Sequence, residues 1–118
     1  MPLSIPILAK ENMIQYTAEK DEILVDLTLM GNSRVYEELV IRHEKAVMGT
    51  AVKVIGNEYS AENAAQDAFV SAWMHLGSLR EPAQFRSWVC SIAQNCAKNL
   101  AVRYRNTVPD IFGGRLQF

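Results

Sequence analysis

Apolar residues recur at helical spacing along most of this chain, and two stretches carry the pattern most regularly. In the first, Ala61, Ala64, Ala65, Ala68, Phe69, Ala72, Trp73 and Leu76 form one stripe over residues 61–76. In the second, Phe85, Trp88, Val89, Ile92, Ala93, Cys96, Ala97 and Leu100 repeat that spacing over 84–104, with Tyr104 in phase beyond. Gly77-Ser78-Leu79-Arg80-Glu81-Pro82 interrupts them, and Pro82 suits the first turn of the later helix. Equal stripes joined by one short loop predict an antiparallel helix pair. Small residues fill the first half of the earlier stripe and rings the second. A neighbouring helix is therefore expected to approach closely at one end and to cover aromatics at the other.

Upstream, residues 21–30 predict a short helix with Ile23, Leu24, Leu27 and Met30 as its stripe, ended by Gly31-Asn32. Ser33 is the expected cap of a second helix over about 34–55. There Tyr36, Val40, His43, Val47, Thr50, Ala51 and Val54 lie near one face, and Gly56-Asn57 stops the run. Ser60 is the expected cap of the third helix. Gly49 disfavours a helix interior relative to alanine, and a close helix crossing would account for it. Residues 1–18, with Pro2 and Pro6, read as an arm that turns helical near residues 11–16; residues 106–118 read as linker or tail, whose Ile111, Phe112, Leu116 and Phe118 could dock on the bundle or a partner. The expected fold is all-α: a compact bundle of three long helices plus a shorter N-terminal helix, filling 19–105.

Composition agrees with one globular domain: 118 residues, 49% hydrophobic and 21% charged. No apolar run reaches the length that crosses a bilayer, and the start lacks a basic leader, so a cytoplasmic protein is expected. Cys90 and Cys96 point away from each other on one helix and fit two buried thiols better than a bridge. Net charge is −1, yet it is unevenly placed. Residues 1–70 carry six Lys/Arg against eleven Asp/Glu, giving −5; residues 71–118 carry six against only Glu81 and Asp110, giving +4. Such asymmetry can offer an acidic face to one partner and a basic face to another.

Candidate chemistry is sparse. There is no Gly-rich phosphate loop, no HExxH and no paired-cysteine metal motif. His43 falls on a core face and His75 near a helix end, so no catalytic residue, metal or cofactor is expected, and the chain does not read as an enzyme. The outer side of the fourth helix says more: Arg86, Gln94, Asn95, Lys98, Asn99, Arg103 and Arg105 mix cations with amides. Cations can hold phosphates and amides can read base edges, although the same set could simply solubilise a helix. Beside it, Ser78, Arg80 and the loop amides could pocket an extruded base, with Leu79 either lining that pocket or plugging a packed turn.

The third helix, loop and fourth helix together resemble a known family. The run Ala61-Glu62-Asn63-Ala64-Ala65-Gln66-Asp67-Ala68-Phe69-Val70-Ser71-Ala72-Trp73, then Phe85-Arg86-Ser87-Trp88-Val89-Cys90-Ser91-Ile92-Ala93-Gln94-Asn95, resembles region 2 of bacterial RNA polymerase sigma factors of the extracytoplasmic-function (ECF) type. Residues 31–39 are similar to an upstream segment of the same family, so the resemblance spans about 21–105. Asn63 stands where the family usually has an acid, Val35-Tyr36 where Ala-Phe is common, and Gln94 where arginine is frequent.

The resemblance implies a domain that joins promoter DNA to core RNA polymerase. Glu62, Asn63, Gln66, Asp67 and Val70 match the surface that meets the clamp helices of the largest catalytic subunit. Residues 76–84, with Ser78, Leu79 and Arg80 as the site residues among them, match the loop that accepts a flipped base of the nontemplate strand at the minus-ten element. Arg86, Asn95, Lys98, Asn99 and Arg103 match the helix used for minus-ten recognition and backbone contacts. An anti-sigma factor is a further partner that the resemblance admits. After Arg105 too few residues remain for the helix-turn-helix that reads the minus-35 element, so a piece of a longer protein is the expectation. The alternative is an interaction-only helical regulatory domain that binds a protein partner without productive promoter recognition.

Overall fold

A computed structural model describes residues 16–107, and the side chains of 16–103. Within them the chain forms four α-helices: α1 (Asp21–Leu29), α2 (Val35–Ile55), α3 (Glu58–Met74) and α4 (Phe85–Thr107). The three long helices pack against one another in every pairing, and α1 lies on α2 and on the loop before α4. This is the all-α bundle of three long helices and a shorter first one that the periodicity predicts. The expected helix near 11–16, the tail's apolar residues and the phase of the Tyr104 side chain lie outside the described residues.

Capping explains where the helices stop and where the expectations need correction. Gly31, at φ +109°, ends α1: its amide donates to Thr28 and the Asn32 amide to Leu27, which satisfies carbonyls left open by the last turn. Gly56, at φ +77°, closes α2 in the same left-handed conformation. Asn57, not Ser60, caps α3: its extended backbone brings Oδ1 to the Ser60 amide at 3.0 Å, so α3 starts earlier than its apolar stripe suggests. Ser33 makes no side-chain cap for α2, which opens from Arg34 in a helical conformation. Gly49 also departs from expectation. It is exposed, and a Cβ there would meet nothing within 4 Å, so no helix crosses at this point.

The core has two parts, as the graded stripe of α3 predicts. Leu24, Val25, Val35, Leu39, Phe69, Leu76, Phe85 and Val89 gather at the aromatic end. Ala51, Ala61, Ala64 and Ala97 let α2, α3 and α4 approach closely at the other. The stripe of α1 is shifted by one position: Leu24, Val25 and Thr28 are buried, whereas Ile23 is 39% and Met30 81% exposed. Thr28 tolerates burial because its hydroxyl donates to the Leu24 carbonyl at 2.8 Å. Trp73 is 43% exposed rather than enclosed, with its ring edge on Tyr36 at 5.1 Å. Both cysteines are free and half-buried.

Polar ties lock the bundle. The buried Tyr36 hydroxyl donates to the Phe69 carbonyl of α3, and burial holds its phenol far above the ordinary range. Arg42 donates to the carbonyls of Tyr16, Thr17 and Glu19 and to the carboxylates of Asp21 and Glu38. The other Asp21 oxygen lies 2.7 Å from His43 Nε2. His43 is thus the hydrogen-bonded core histidine that its position on the apolar face suggests.

Candidate functional site

Two outward surfaces hold the residues singled out by sequence. On α3, Glu62, Asn63, Gln66, Asp67 and Val70 are all exposed. They do not point one way. Glu62 and Gln66 line a groove of about 350 Å³ against α2, together with Val40, Glu44, Met48, Ala65 and Phe69. Asp67 lies on the other flank, close enough to α4 that its charge, after burial, is the second influence raising the Cys96 thiol above its ordinary range. Val70, 58% exposed, stands between them as an apolar anchor. Glu44 and Met48 of α2 belong to this surface and were not singled out by sequence. Their spacing of four on one helix face is the signal that could have found them.

The second surface begins where α3 ends. The loop is not irregular: Leu76–Ser78 and Pro82–Gln84 form two short 3₁₀ turns. Pro82 therefore opens the second turn and not α4 itself, which starts at Phe85. Leu76 is buried in the core and fixes the first turn; the Ser78 hydroxyl donates to the His75 carbonyl at 2.7 Å. Between loop and helix lies an open depression of about 470 Å³, lined by Ser78, Leu79, Arg80, Glu81, Gln84, Ser87, Trp88 and Ser91. Leu79 is half-buried and packs on the core, so it both lines the depression and plugs the turn beneath.

Helical spacing then decides which residues of α4 continue from this depression. Gln84, Ser87, Trp88 and Ser91 are separated by three and four, and Asn95, Lys98 and Asn99 extend the same series. All three extending residues are exposed, as is Arg103. Arg86 is also exposed, but nine residues before Asn95 amounts to two and a half turns, which places it on the opposite side of the helix. Arg86 and the Asn95–Asn99 line cannot act as one patch. Trp88, half-buried and tilted against Phe85 at 6.0 Å, gives the depression an aromatic wall. Glu81, Gln84 and Ser87 line it as well; the sequence places Glu81 and Gln84 within the implied base-accepting loop without singling them out, and Ser87 on the fourth helix.

No group of three or more His, Cys, Asp or Glu among the described residues is placed to hold a metal ion. None of the helices described is long and apolar enough to cross a membrane. The described residues thus present two outward surfaces: an acidic, partly apolar helix groove, and a cationic helix face opening from an aromatic-walled depression.

Sequence comparisons specify the class of protein that carries these two surfaces. Residues 39–107 match the Sigma-70 region 2 family. The chain is 33% identical over 94 residues to an RNA polymerase sigma-H factor of Pseudomonas aeruginosa, an alignment covering 80% of this chain and 49% of that protein. It is 32% identical over 95 residues to the RNA polymerase sigma factor CnrH of Cupriavidus metallidurans, again 80% of this chain and 49% of the relative. An ECF RNA polymerase sigma-E factor of Escherichia coli is 29% identical over 82 residues, 70% of this chain and 42% of that protein. No solved structure matches significantly. The chain belongs to the sigma-70 region 2 family, ECF type, and so to a family of non-catalytic regulatory proteins. It spans about half the length of the first two of these relatives.

Proposed function

We propose that this chain is a sigma-factor domain that binds core RNA polymerase in the cytoplasm and recognises and helps open the minus-ten element at transcription initiation. In this reading Glu62, Asn63, Gln66, Asp67 and Val70 meet the clamp helices of the largest catalytic subunit, and Glu44 and Met48 extend that contact onto α2. Ser78, Leu79 and Arg80 rim the place where a base of the nontemplate strand leaves the stack. Asn95, Lys98, Asn99 and Arg103 track the strand beyond it; Arg86 meets backbone from the other side of α4. An anti-sigma factor is a further partner in this reading, competing for the same surfaces.

The observation that carries the proposal is the continuity of the loop depression with the cation and amide face of α4. Lys98 and Arg103 can neutralise phosphates, which orients a strand without reading it. An aromatic wall beside a cavity gives an unstacked base a surface to stack on. Capturing that base favours the melted strand over the duplex. The domain thereby shifts promoter opening by differential binding and performs no chemistry itself.

The test is binding by the full reading frame assembled with core polymerase to single-stranded minus-ten DNA of each strand. Preference for the nontemplate strand is expected. Tight polymerase binding with no strand preference would instead support an interaction-only domain.

A further inference from the structure

Phe85, where the loop becomes α4, meets two rings of α2, Tyr36 and His43, which stand two turns apart on one face of that helix. Each ring is fastened at its polar tip to a different helix. The Tyr36 hydroxyl is bonded to the Phe69 carbonyl within α3. His43 reaches α1 instead: its Nε2 lies 2.7 Å from Asp21 Oδ2, and since an ionised carboxylate has no proton to give, the ring is the donor. Asp21 is held at its other oxygen by Arg42, 3.0 Å away, and the same guanidinium takes the carbonyls of Tyr16, Thr17 and Glu19. Segment 16–21 is thus strapped to α2 beside a buried ring that touches the first residue of α4. Because α1 has only nine residues and no side chain caps its first turn, the bonds from α2 to Asp21 set where it begins.

We propose that His43 is a positioning residue for the strand-binding surface: it couples the fastening of segment 16–21 to the seat of Phe85, so that loosening that segment lowers affinity for the open strand; the inference rests on the sigma reading above. The coupling needs both ends of the ring, the donor toward Asp21 and the face against Phe85. Phe85 in turn sits directly after the Pro82–Gln84 turn and tilts against Trp88, the wall of the depression, so a shift of its ring moves the rim and the wall together. The α2–α3 groove is spared. Its Glu44 and Met48 point roughly 100° or more around α2 from His43, and neither touches the strapped segment through a hydrogen bond or ion pair among the described residues.

The experiment measures, for the full chain assembled with core polymerase, affinity for single-stranded nontemplate minus-ten DNA and affinity for the polymerase itself. His43→Phe keeps the ring and loses the donor; His43→Gln keeps a donor and loses the ring. Each should weaken strand binding about fivefold, the low end of ordinary coupling between sites, and leave polymerase affinity unchanged. Asp21→Ala should do the same alone and add nothing in the His43→Phe background, because both act along one path. Ala51→Gly, a buried change at the alanine end of the bundle, lowers stability away from that path and should leave strand affinity intact. Melting curves establish that each variant is folded at the assay temperature. Should the His43 variants not fold, Asp21→Ala decides alone, since Asp21 is partly exposed and Arg42 retains Glu38. Full strand affinity in any one of the His43 or Asp21 variants, additive losses in the double variant, a parallel fall in polymerase affinity or an equal loss in Ala51→Gly overturns the inference while leaving the sigma reading intact. Failure of the wild-type complex to prefer the nontemplate strand overturns both.

Discussion

The two outward surfaces of the bundle are built differently. The polar face of α3 is the back of one regular helix, so its residues are placed by helical spacing and by the burial of the alanine stripe opposite. The loop and α4 surface is composite: two 3₁₀ turns set the rim of a depression whose wall is the start of the next helix. The α3 part of the first surface survives any change that leaves α3 helical, and its α2 side needs only that the two helices stay packed. The second depends on how the loop is held, and substitutions in its supports should separate the two.

The largest effect is expected at Phe85. Its ring is fully buried at the junction of loop and α4, 6.3 Å from Tyr36, 5.6 Å from His43 and 6.0 Å from Trp88. Phe85→Ala should cost about 3 to 5 kcal/mol of folding stability in urea denaturation. A loss under about 1 kcal/mol would mean that the site collapses freely and that the loop is held by other means.

Arg42→Ala should follow, at about 2 kcal/mol, since it strips charged hydrogen bonds from Asp21 and Glu38 and frees three carbonyls before α1. Its consequences should be unequal. Because α1 packs on the Pro82–Gln84 turn, amide exchange should rise in α1 and the loop while α3 stays protected. Equal loss of protection in both would erase the distinction between the surfaces.

That asymmetry also explains what could be read from the chain. The bundle, the graded core of α3 and the buried histidine were legible because period and residue size determine them. The caps were misread where two candidates competed, as with Asn57 and Ser60, since the backbone conformation at Asn57 decides between them. The α3 residues were legible as a face, but the α2 side of their groove was not, because it depends on how two helices pack. In the loop, Ser78, Leu79 and Arg80 were visible as candidates, whereas Glu81, Gln84 and Ser87 became lining residues only once two tight turns folded over the start of α4.

Paired substitutions address the surfaces themselves. Gln66→Ala with Asp67→Ala should weaken polymerase binding and leave the salt dependence of DNA binding unchanged. Lys98→Ala with Arg103→Ala should do the reverse, lowering the slope of log affinity against log salt by about 1.4 if each cation neutralises one phosphate of a single strand. Titrations of the assembled complex from low to moderate salt would measure both. An unchanged slope in the second variant would remove α4 from the strand path.

The smallest effect is expected at Gly49, and it is a gain. Gly49 sits inside α2, is exposed, and has open space where a Cβ would be. Gly49→Ala should stabilise the fold by about 0.5 to 1 kcal/mol, through helix propensity and a less flexible unfolded chain. Thermal denaturation would register this as a rise of a few degrees. Gly49 lines neither the α2–α3 groove nor the loop depression, so polymerase and DNA affinity should both stay constant. The variant therefore sharpens the comparison as a control, because it moves stability without moving either surface. If it weakened polymerase binding, α2 would have to take part through its exposed side as well as through Glu44 and Met48, and the first surface would extend beyond the α2–α3 groove.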